Sequence, residues 1–149
     1  MVAIDCSPPS IKALEYALKI TQTHGIELMI LLHVYNVPAT IYFSSQADLR
    51  TRLHEGILKE IKEWIRPTVK QINKENTDFI LTTTTTIVKL EALETNASIV
   101  NGIIDYAKHN DVNLILIGST GRTGFGRLLL GSVAWGVVNR SLCPVLVVK

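Results

Sequence analysis

The feature that most constrains the fold is the alternation of short apolar runs with segments of helical periodicity. Residues 27–35 (ELMILLHVY) and 112–117 (VNLILI) are almost wholly apolar. Runs of this length and composition are typical of strands that are buried on both faces of a parallel sheet. Longer segments with apolar residues three and four positions apart lie between the runs and indicate helices. The chain is therefore predicted to belong to the α/β class.

The predicted order is five strands separated by four helices in a chain of 149 residues. Such alternation gives a right-handed parallel α/β sheet of five strands with helices on both faces. No internal repeat or linker interrupts it, so residues 1–149 are predicted to form one domain. The predicted strands cover residues 2–4, 27–35, 77–90, 112–117 and 144–148, and the predicted helices cover residues 11–24, 47–73, 97–110 and 133–138.

Three local expectations follow from short stretches of sequence. The first strand is shorter than the usual five or six residues, which predicts that it begins upstream of Met1. Pro67 lacks an N–H group, so the helix from residue 47 is expected to kink or restart near Arg66. Five consecutive threonines, residues 82–86, indicate a β-branched strand at the edge of the sheet.

The last helix is predicted to turn one apolar face inward, formed by Val133, Ala134, Val137 and Val138. Trp135 and Gly136 then fall on the outer face, where polar residues are usual. Trp135 has two interpretations that the sequence leaves open. It either packs under residues 128–130 or forms part of a surface for a partner.

The most informative stretch for function is residues 118–132 (GSTGRTGFGRLLLGS), between the fourth strand and the last helix. Ligands of parallel α/β proteins bind at such strand ends. Gly118 and Gly121 have no Cβ, so their backbone can take positive φ and approach a ligand closely. Gly131 and Ser132 open the helix, whose first N–H groups are then free to bind a phosphate.

Hydroxyl groups and cations complete a predicted anion site in this stretch. Ser119, Thr120 and Ser132 add hydroxyl donors, and Arg122 and Arg127 add positive charge. No acidic residue lies between positions 118 and 138. A flexible glycine loop without a ligand is the simpler alternative, and the hydroxyl groups and arginines count against it.

Two other phosphate-binding motifs are excluded. A P-loop requires lysine and then serine or threonine after its second glycine, whereas Gly126 is followed by Arg127 and Leu128. A dinucleotide-binding fingerprint requires a third glycine and a place after the first strand. The sequence from Gly124 reaches Leu129 instead, late in the chain.

The glycines are spaced as Gly118, two residues, Gly121, nine residues, and Gly131 followed by Ser132. In this spacing the chain resembles the ATP-binding members of the universal stress protein family, and the resemblance covers nearly the whole chain. It implies a Rossmann-like fold of the adenine nucleotide alpha hydrolase type and ATP as ligand, with any Mg²⁺ held mainly by phosphates and water. It also implies a homodimer through the C-terminal strand, residues 145–148, which would cover an exposed sheet edge.

The resemblance further implies which residues bind the nucleotide. Ala3, Ile4 and Asp5 would meet the adenosine, with Val34 against the adenine, although Asp5 also has a simpler interpretation as a capping residue. The phosphates would bind at Gly121, Arg122, Gly131 and Ser132. The full implied site is Ala3, Ile4, Asp5, Val34, Ile117, Gly118, Ser119, Gly121, Arg122, Gly131, Ser132, Val133 and Ala134.

No catalytic residue or metal ligand is predicted. His33 has no serine, cysteine or carboxylate partner that the sequence can assign, so it is interpreted as a hydrogen-bonded core histidine. The glycine-rich stretch has no carboxylate or histidine to position water for phosphoryl transfer. An ATP-binding regulatory module is therefore favoured over a slow ATPase that uses the same site. A nucleotide-free, partner-binding dimer is the third alternative, and the intact glycine spacing argues against it.

Composition removes several classes of function. The net charge is only +2 and is spread along the chain, so nucleic acid is not an expected partner. No apolar run approaches the roughly 18 residues of a membrane helix, and no signal peptide is visible. Cys6 and Cys143 fit no metal-binding spacing and are expected to be free thiols in a reducing cytoplasm.

Overall fold

The computed structural model describes residues 1–37, 39–42, 47–72, 86–121 and 130–149. Strands and helices alternate through these ranges, as the apolar runs predict. A short helix in the segment after the second strand is an addition to the predicted elements. The elements are β1 (Val2–Ala3), α1 (Pro8–His24), β2 (Leu28–Asn36), α2 (Ala39–Tyr42), α3 (Ala47–Ile72), β3 (Ile87–Thr95), α4 (Ile99–His109), β4 (Ile115–Gly118), α5 (Ser132–Arg140) and β5 (Val145–Val148).

The five strands form one sheet in the order β3-β2-β1-β4-β5. Every neighbouring pair is parallel, so the predicted five-stranded parallel sheet is confirmed. The chain builds outward from β1 to β3 and then returns to the other side of β1 with β4. In sheets of this kind the crevice between the ends of the two strands at the reversal is where ligands bind. Here Ala3 of β1 is paired with Ile117 of β4 at that point.

Helices cover both faces of the sheet, as predicted. Val2 and Ile4 point to one face and Ala3 to the other, because successive side chains of a strand alternate. The first face packs against α1 and α3, and its fully buried side chains include Leu14, Leu18, Ile61 and Ile65. The second packs against α4 and α5, and its buried side chains include Ile103, Ala107, Ala134 and Val137.

The first helix begins and ends as its sequence indicates. Ser7 is the N-cap and accepts a hydrogen bond from the Ser10 N–H at 3.4 Å. Pro8 and Pro9 occupy the first turn, where proline removes no helical hydrogen bond. Gly25 ends the helix in the left-handed conformation, with φ at 59°.

Two elements differ from the prediction. Helix α3 continues through Pro67 for 26 residues, so the predicted restart near Arg66 is wrong. The helix is anchored by Ile65 and Thr68, which are buried on either side of the proline. Strand β3 extends to Thr95 rather than residue 90, and it pairs with β2 along its full length. It lies at the sheet edge as predicted, while residues 82–85 are outside the described ranges.

The faces of α5 are also partly corrected. Gly136 is buried rather than outward-facing, and a Cβ added there would lie 2.8 Å from Val100 Cγ2. Glycine is therefore required for the close packing of α5 on α4. Val138 is 44% exposed and Trp135 is 60% exposed, so Val138 does not belong to the inner face. The choice between the two interpretations of Trp135 stays open, because residues 128 and 129 lie outside the described ranges.

Candidate functional site

A cavity of about 530 Å³ lies at the reversal point of the sheet. It is bounded by the carboxyl ends of β1, β2 and β4 and by the first turns of α4 and α5. Its volume is within the range of small-molecule sites. The lining residues divide into an apolar group, formed by Ala3, Ile4, Leu32, Val34, Ile99, Ile103, Ile117, Leu130 and Val133, and a more polar group, formed by Asp5, Ser10, Gly118, Thr120, Gly121, Gly131 and Ser132.

The apolar end of the cavity depends on a close contact between α4 and β2. Val34 is buried and faces the cavity from the end of β2. A Cβ added at Gly102 would lie 2.7 Å from Val34 Cγ1, so only glycine lets the helix approach this closely. Ile99 and Ile103, on the same helix, complete the wall. This end offers an apolar surface that suits a flat ring.

The polar end of the cavity is the start of α5. Gly131 is the N-cap and provides no side-chain capping bond. The first bond of the helix runs from the Trp135 N–H to the Gly131 carbonyl at 2.8 Å. The N–H groups of Ser132, Val133 and Ala134 come before it, and they have no acceptor among the described residues. Unpaired N–H groups and the positive end of the helix dipole together attract an anion.

Asp5 connects the β1 end to the glycine-rich stretch. Its Oδ1 accepts hydrogen bonds from the Ser7 N–H at 3.1 Å and the Ser7 hydroxyl at 2.5 Å. Ser7 Oγ also lies 3.5 Å from the Thr120 carbonyl oxygen. A Cβ added at Gly121 would lie 2.9 Å from Asp5 Oδ2, so that oxygen faces the anion-binding end. Asp5 therefore braces its own turn and lines the cavity.

Comparison with known proteins places this chain in a family. Residues 1–149, the whole chain, match the universal stress protein family. The chain belongs to that family. It is 30% identical to Universal stress protein MJ0531 of Methanocaldococcus jannaschii over 149 residues, covering 100% of this chain and 80% of that protein. It is 31% identical to Universal stress protein YxiE of Bacillus subtilis over 153 residues, covering 100% and 97%.

Solved structures of other universal stress proteins have the same fold. UspA of Lactobacillus plantarum superposes with a TM-score of 0.72 at 25% identity, covering 99% of this chain and 96% of that one. The protein of Archaeoglobus fulgidus, determined in complex with dAMP, gives a TM-score of 0.60 at 19% identity, covering 99% and 94%. At that identity the second comparison establishes the fold alone.

Most of the residues that the sequence implied for this universal stress protein site line the cavity. Two of them do not. Ser119 is buried, and its backbone N–H donates to the Val148 carbonyl while its own carbonyl accepts from the Gly131 N–H. Ala134 is buried in the core. Arg122, like Arg127, lies outside the described residues. Those that line the cavity are Ala3, Ile4, Asp5, Val34, Ile117, Gly118, Gly121, Gly131, Ser132 and Val133.

The sequence missed the contribution of α4. Ile99 and Ile103 lie on the face of α4 that packs on the sheet, and the same face continues into the cavity. Leu32 and Ser10 were also missed as lining residues. The signal for Ser10 was its place close after the first strand, in the first turn of α1, where its hydroxyl also accepts from the Asp5 N–H and donates to the Ser7 carbonyl.

The positive φ that the sequence allows at two glycines of the site is not used. Neither Gly118 nor Gly121 has positive φ, and in the described chain Gly25 alone among the glycines does. Gly118 is needed for another reason, because an added Cβ would lie 2.7 Å from the Pro9 carbonyl carbon and 2.8 Å from the Ser10 nitrogen. It lets the end of β4 pack directly on the start of α1.

Asp5 is the one titratable side chain among the described residues that line the cavity. The same ranges contain no group of three or more His, Cys, Asp or Glu residues placed to hold a metal ion. His33 does not line the cavity, and its ring makes the hydrogen bond that the sequence analysis expected. Within the described ranges, no helix has both the length and the hydropathy needed to cross a bilayer.

Proposed function

We propose that this universal stress protein binds ATP at the reversal point of its sheet and acts as a nucleotide-dependent regulatory module. One observation carries the proposal: a single cavity joins an apolar wall to the start of α5, whose first N–H groups have no acceptor among the described residues. An adenine nucleotide has the matching pair of features, a flat base and an anionic tail. The glycine spacing supports ATP within this class, because the family's ATP-binding members carry the same spacing.

The proposed orientation follows from the two ends of the cavity. The adenosine lies along Ala3, Ile4 and Asp5, with its base against Val34. The phosphates take the N–H groups at the start of α5 and the loop at Gly121, with Arg122 as the predicted cation. Mg²⁺ is held mainly by the phosphates and water, assisted at most by the Asp5 carboxylate. The Archaeoglobus fulgidus protein, which has the same fold, was determined with an adenine nucleotide, dAMP, bound.

A regulatory role is favoured over hydrolysis by the contacts of Asp5. Phosphoryl transfer to water needs a group that positions the nucleophile. Asp5 is the one titratable candidate among the described lining residues, and one of its two carboxylate oxygens, Oδ1, is already held by Ser7, which leaves Oδ2 alone to face the ligand. We therefore propose that bound ATP shifts the population of conformations, or of assembled dimers, in the cytoplasm.

The test is a calorimetric titration of nucleotide-free protein with ATP and Mg²⁺, beside adenosine, GTP and inorganic tripolyphosphate. ATP is expected to bind most tightly because it alone fills both ends with the right groups. Adenosine loses the contacts at the start of α5, and tripolyphosphate loses those of the apolar wall. Absence of heat with ATP would overturn the proposal. Tighter binding of GTP than of ATP would contradict the adenine assignment.

We also propose that the protein forms a homodimer through the open edge of β5. That strand ends the sheet, and an unpaired edge is normally covered. Gly136 faces α4 from one flank of α5, which turns the exposed Trp135 and Val138 to the opposite flank. Strand β5 is the last strand of the sheet, on the side of β4 that is away from α4. The flank of α5 that carries Trp135 and Val138 also points away from α4, so it lies next to the open edge of β5.

Replacing Val147 by proline is expected to convert the dimer to a monomer with the fold retained. The carbonyls of Pro144 and Val148 accept bonds from the β4 side, so by alternation the Val147 N–H points to the open edge. Proline removes that donor at the position where edge strands tolerate it. Sedimentation velocity checks the result, with Tyr16→Ser on α1 as an exposed-residue control. A monomeric wild-type protein, or a dimer unaffected by Val147→Pro, would contradict the proposed interface.

A further inference from the structure

The ladder between β1 and β2 ends at Ile4, where a side chain takes over from the backbone. The Ile4 N–H donates to the Leu32 carbonyl at 2.9 Å. The Ile4 carbonyl instead pairs with Nδ1 of His33 at 2.8 Å. A carbonyl oxygen only accepts, so His33 Nδ1 carries the proton of this hydrogen bond. The histidine is half-buried and belongs to the strand beside β1.

The other half of the same peptide group is also held by a side chain. The Asp5 N–H donates to Ser10 Oγ at 3.4 Å. Ser10 is buried, and its hydroxyl donates in turn to the Ser7 carbonyl at 3.0 Å. Because a peptide group is planar, bonds at its carbonyl and its N–H fix its orientation about the chain axis. The Ile4–Asp5 peptide is thus clamped between β2 and the start of α1.

His33 is itself supported from the side away from the cavity. Its ring stacks beside that of Tyr35, with centroids 6.4 Å apart. The Tyr35 hydroxyl makes a 2.9 Å hydrogen bond with His54 Nδ1 on α3. Burial raises the pKa of Tyr35, against the opposing charge of Arg50, so the phenol stays protonated at neutral pH. The His33 ring, which holds the Ile4 carbonyl, is therefore supported by side chains of β2 and α3.

We propose that His33 is a positioning residue for the nucleotide site, acting through the Ile4–Asp5 peptide. Ile4 and Asp5 both line the cavity, whereas His33 is absent from its lining. A rotated peptide would move the Asp5 carboxylate away from Gly121 and loosen the surface along which the adenosine lies. The inference rests on the proposed ATP site and adds a residue that touches no part of the ligand.

Two substitutions separate positioning from packing. In His33→Asn, the side-chain amide places an N–H close to the position of Nδ1–H, whereas His33→Ala has no donor. Loss of one hydrogen bond is worth about 1 kcal/mol, so His33→Ala is expected to weaken ATP binding about fivefold and His33→Asn by less than about twofold. Both variants lose the packing of the ring, and His33→Ala also loses the hydrogen bond to the Ile4 carbonyl, so its melting temperature is expected to fall somewhat further than that of His33→Asn. Calorimetry gives the affinity and thermal unfolding gives the stability.

Nitrogen-15 NMR of the ligand-free protein tests the clamp without the nucleotide. The His33 imidazole is expected to show the Nδ1–H form, and the Asp5 amide resonance to move in His33→Ala and remain near its wild-type position in His33→Asn. Equal affinities of His33→Ala and wild type for ATP would overturn the inference and leave the proposed function standing. Equal weakening in both variants would overturn it in favour of ring packing. A wild-type protein that binds no ATP would overturn both proposals.

Discussion

Replacing Ser132 by aspartate is expected to lower the affinity for ATP about thirtyfold, while Ser132→Asn stays within about threefold of wild type. Ser132 is the exposed first residue of α5, beside the N–H groups that the phosphates would use. Two unit charges 4 Å apart interact by about 1 kcal/mol in water and about 4 kcal/mol near a protein surface. A repulsion of about 2 kcal/mol lies between these limits and corresponds to about thirtyfold in affinity. Calorimetric titration with ATP and Mg²⁺ measures it.

The pair of variants isolates charge from shape. Aspartate and asparagine have nearly the same size, so a steric effect would lower both affinities alike. An acidic residue in the first turn of a helix is stabilising, so the melting temperature of Ser132→Asp is expected to equal or exceed that of wild type. The difference between the variants should shrink at high salt, because exposed charges are screened. If Ser132→Asp binds ATP as wild type does, the phosphates do not lie at the start of α5.

The sheet was predictable because its signal is local. Strands β2 and β4 are buried on both faces, so each is nearly continuously apolar and stands out against the helices around it. The order of strand and helix then leaves few arrangements of a parallel sheet. The meeting of the β1 end and the glycine-rich stretch follows from that arrangement. The end of α1 at Gly25 was predictable for the same reason, since capping depends on adjacent residues, whereas its start could have been capped by either Ser7 or Ser10.

The features that the sequence did not reveal depend on contacts between distant segments. Gly102 is an unremarkable helix residue until Val34 is placed against it. Gly136 looked misplaced on an outer face because the approach of α4 was unknown. The continuation of α3 through Pro67 reflects burial on both sides of the proline, which outweighs the local preference. In each case tertiary packing decides what the local pattern leaves open.

Gly118→Ala is expected to destabilise the protein by about 3 kcal/mol, at the upper end of the usual cost of overpacking. The added methyl group would lie 2.7 to 2.9 Å from three atoms of Pro9 and Ser10, two of which belong to the backbone. Backbone atoms cannot turn aside as the end of a flexible side chain can, so β4 and α1 must separate. The expected fall in melting temperature is about 6 to 12 °C for a chain of this size. Thermal unfolding by circular dichroism measures it.

Gly56→Ala is the matched control, because it makes the same chemical change where nothing is in the way. Gly56 is exposed on α3, and a Cβ added there meets no atom within 4 Å. Alanine is favoured over glycine in a helix by about 1 kcal/mol, so the melting temperature should rise by about 2 to 4 °C. Opposite signs for the two variants would show that Gly118 is kept for the contact between β4 and α1. If the Gly118→Ala protein is as stable as wild type, β4 and α1 can move apart without a loss of folding stability, and the expected effect is wrong.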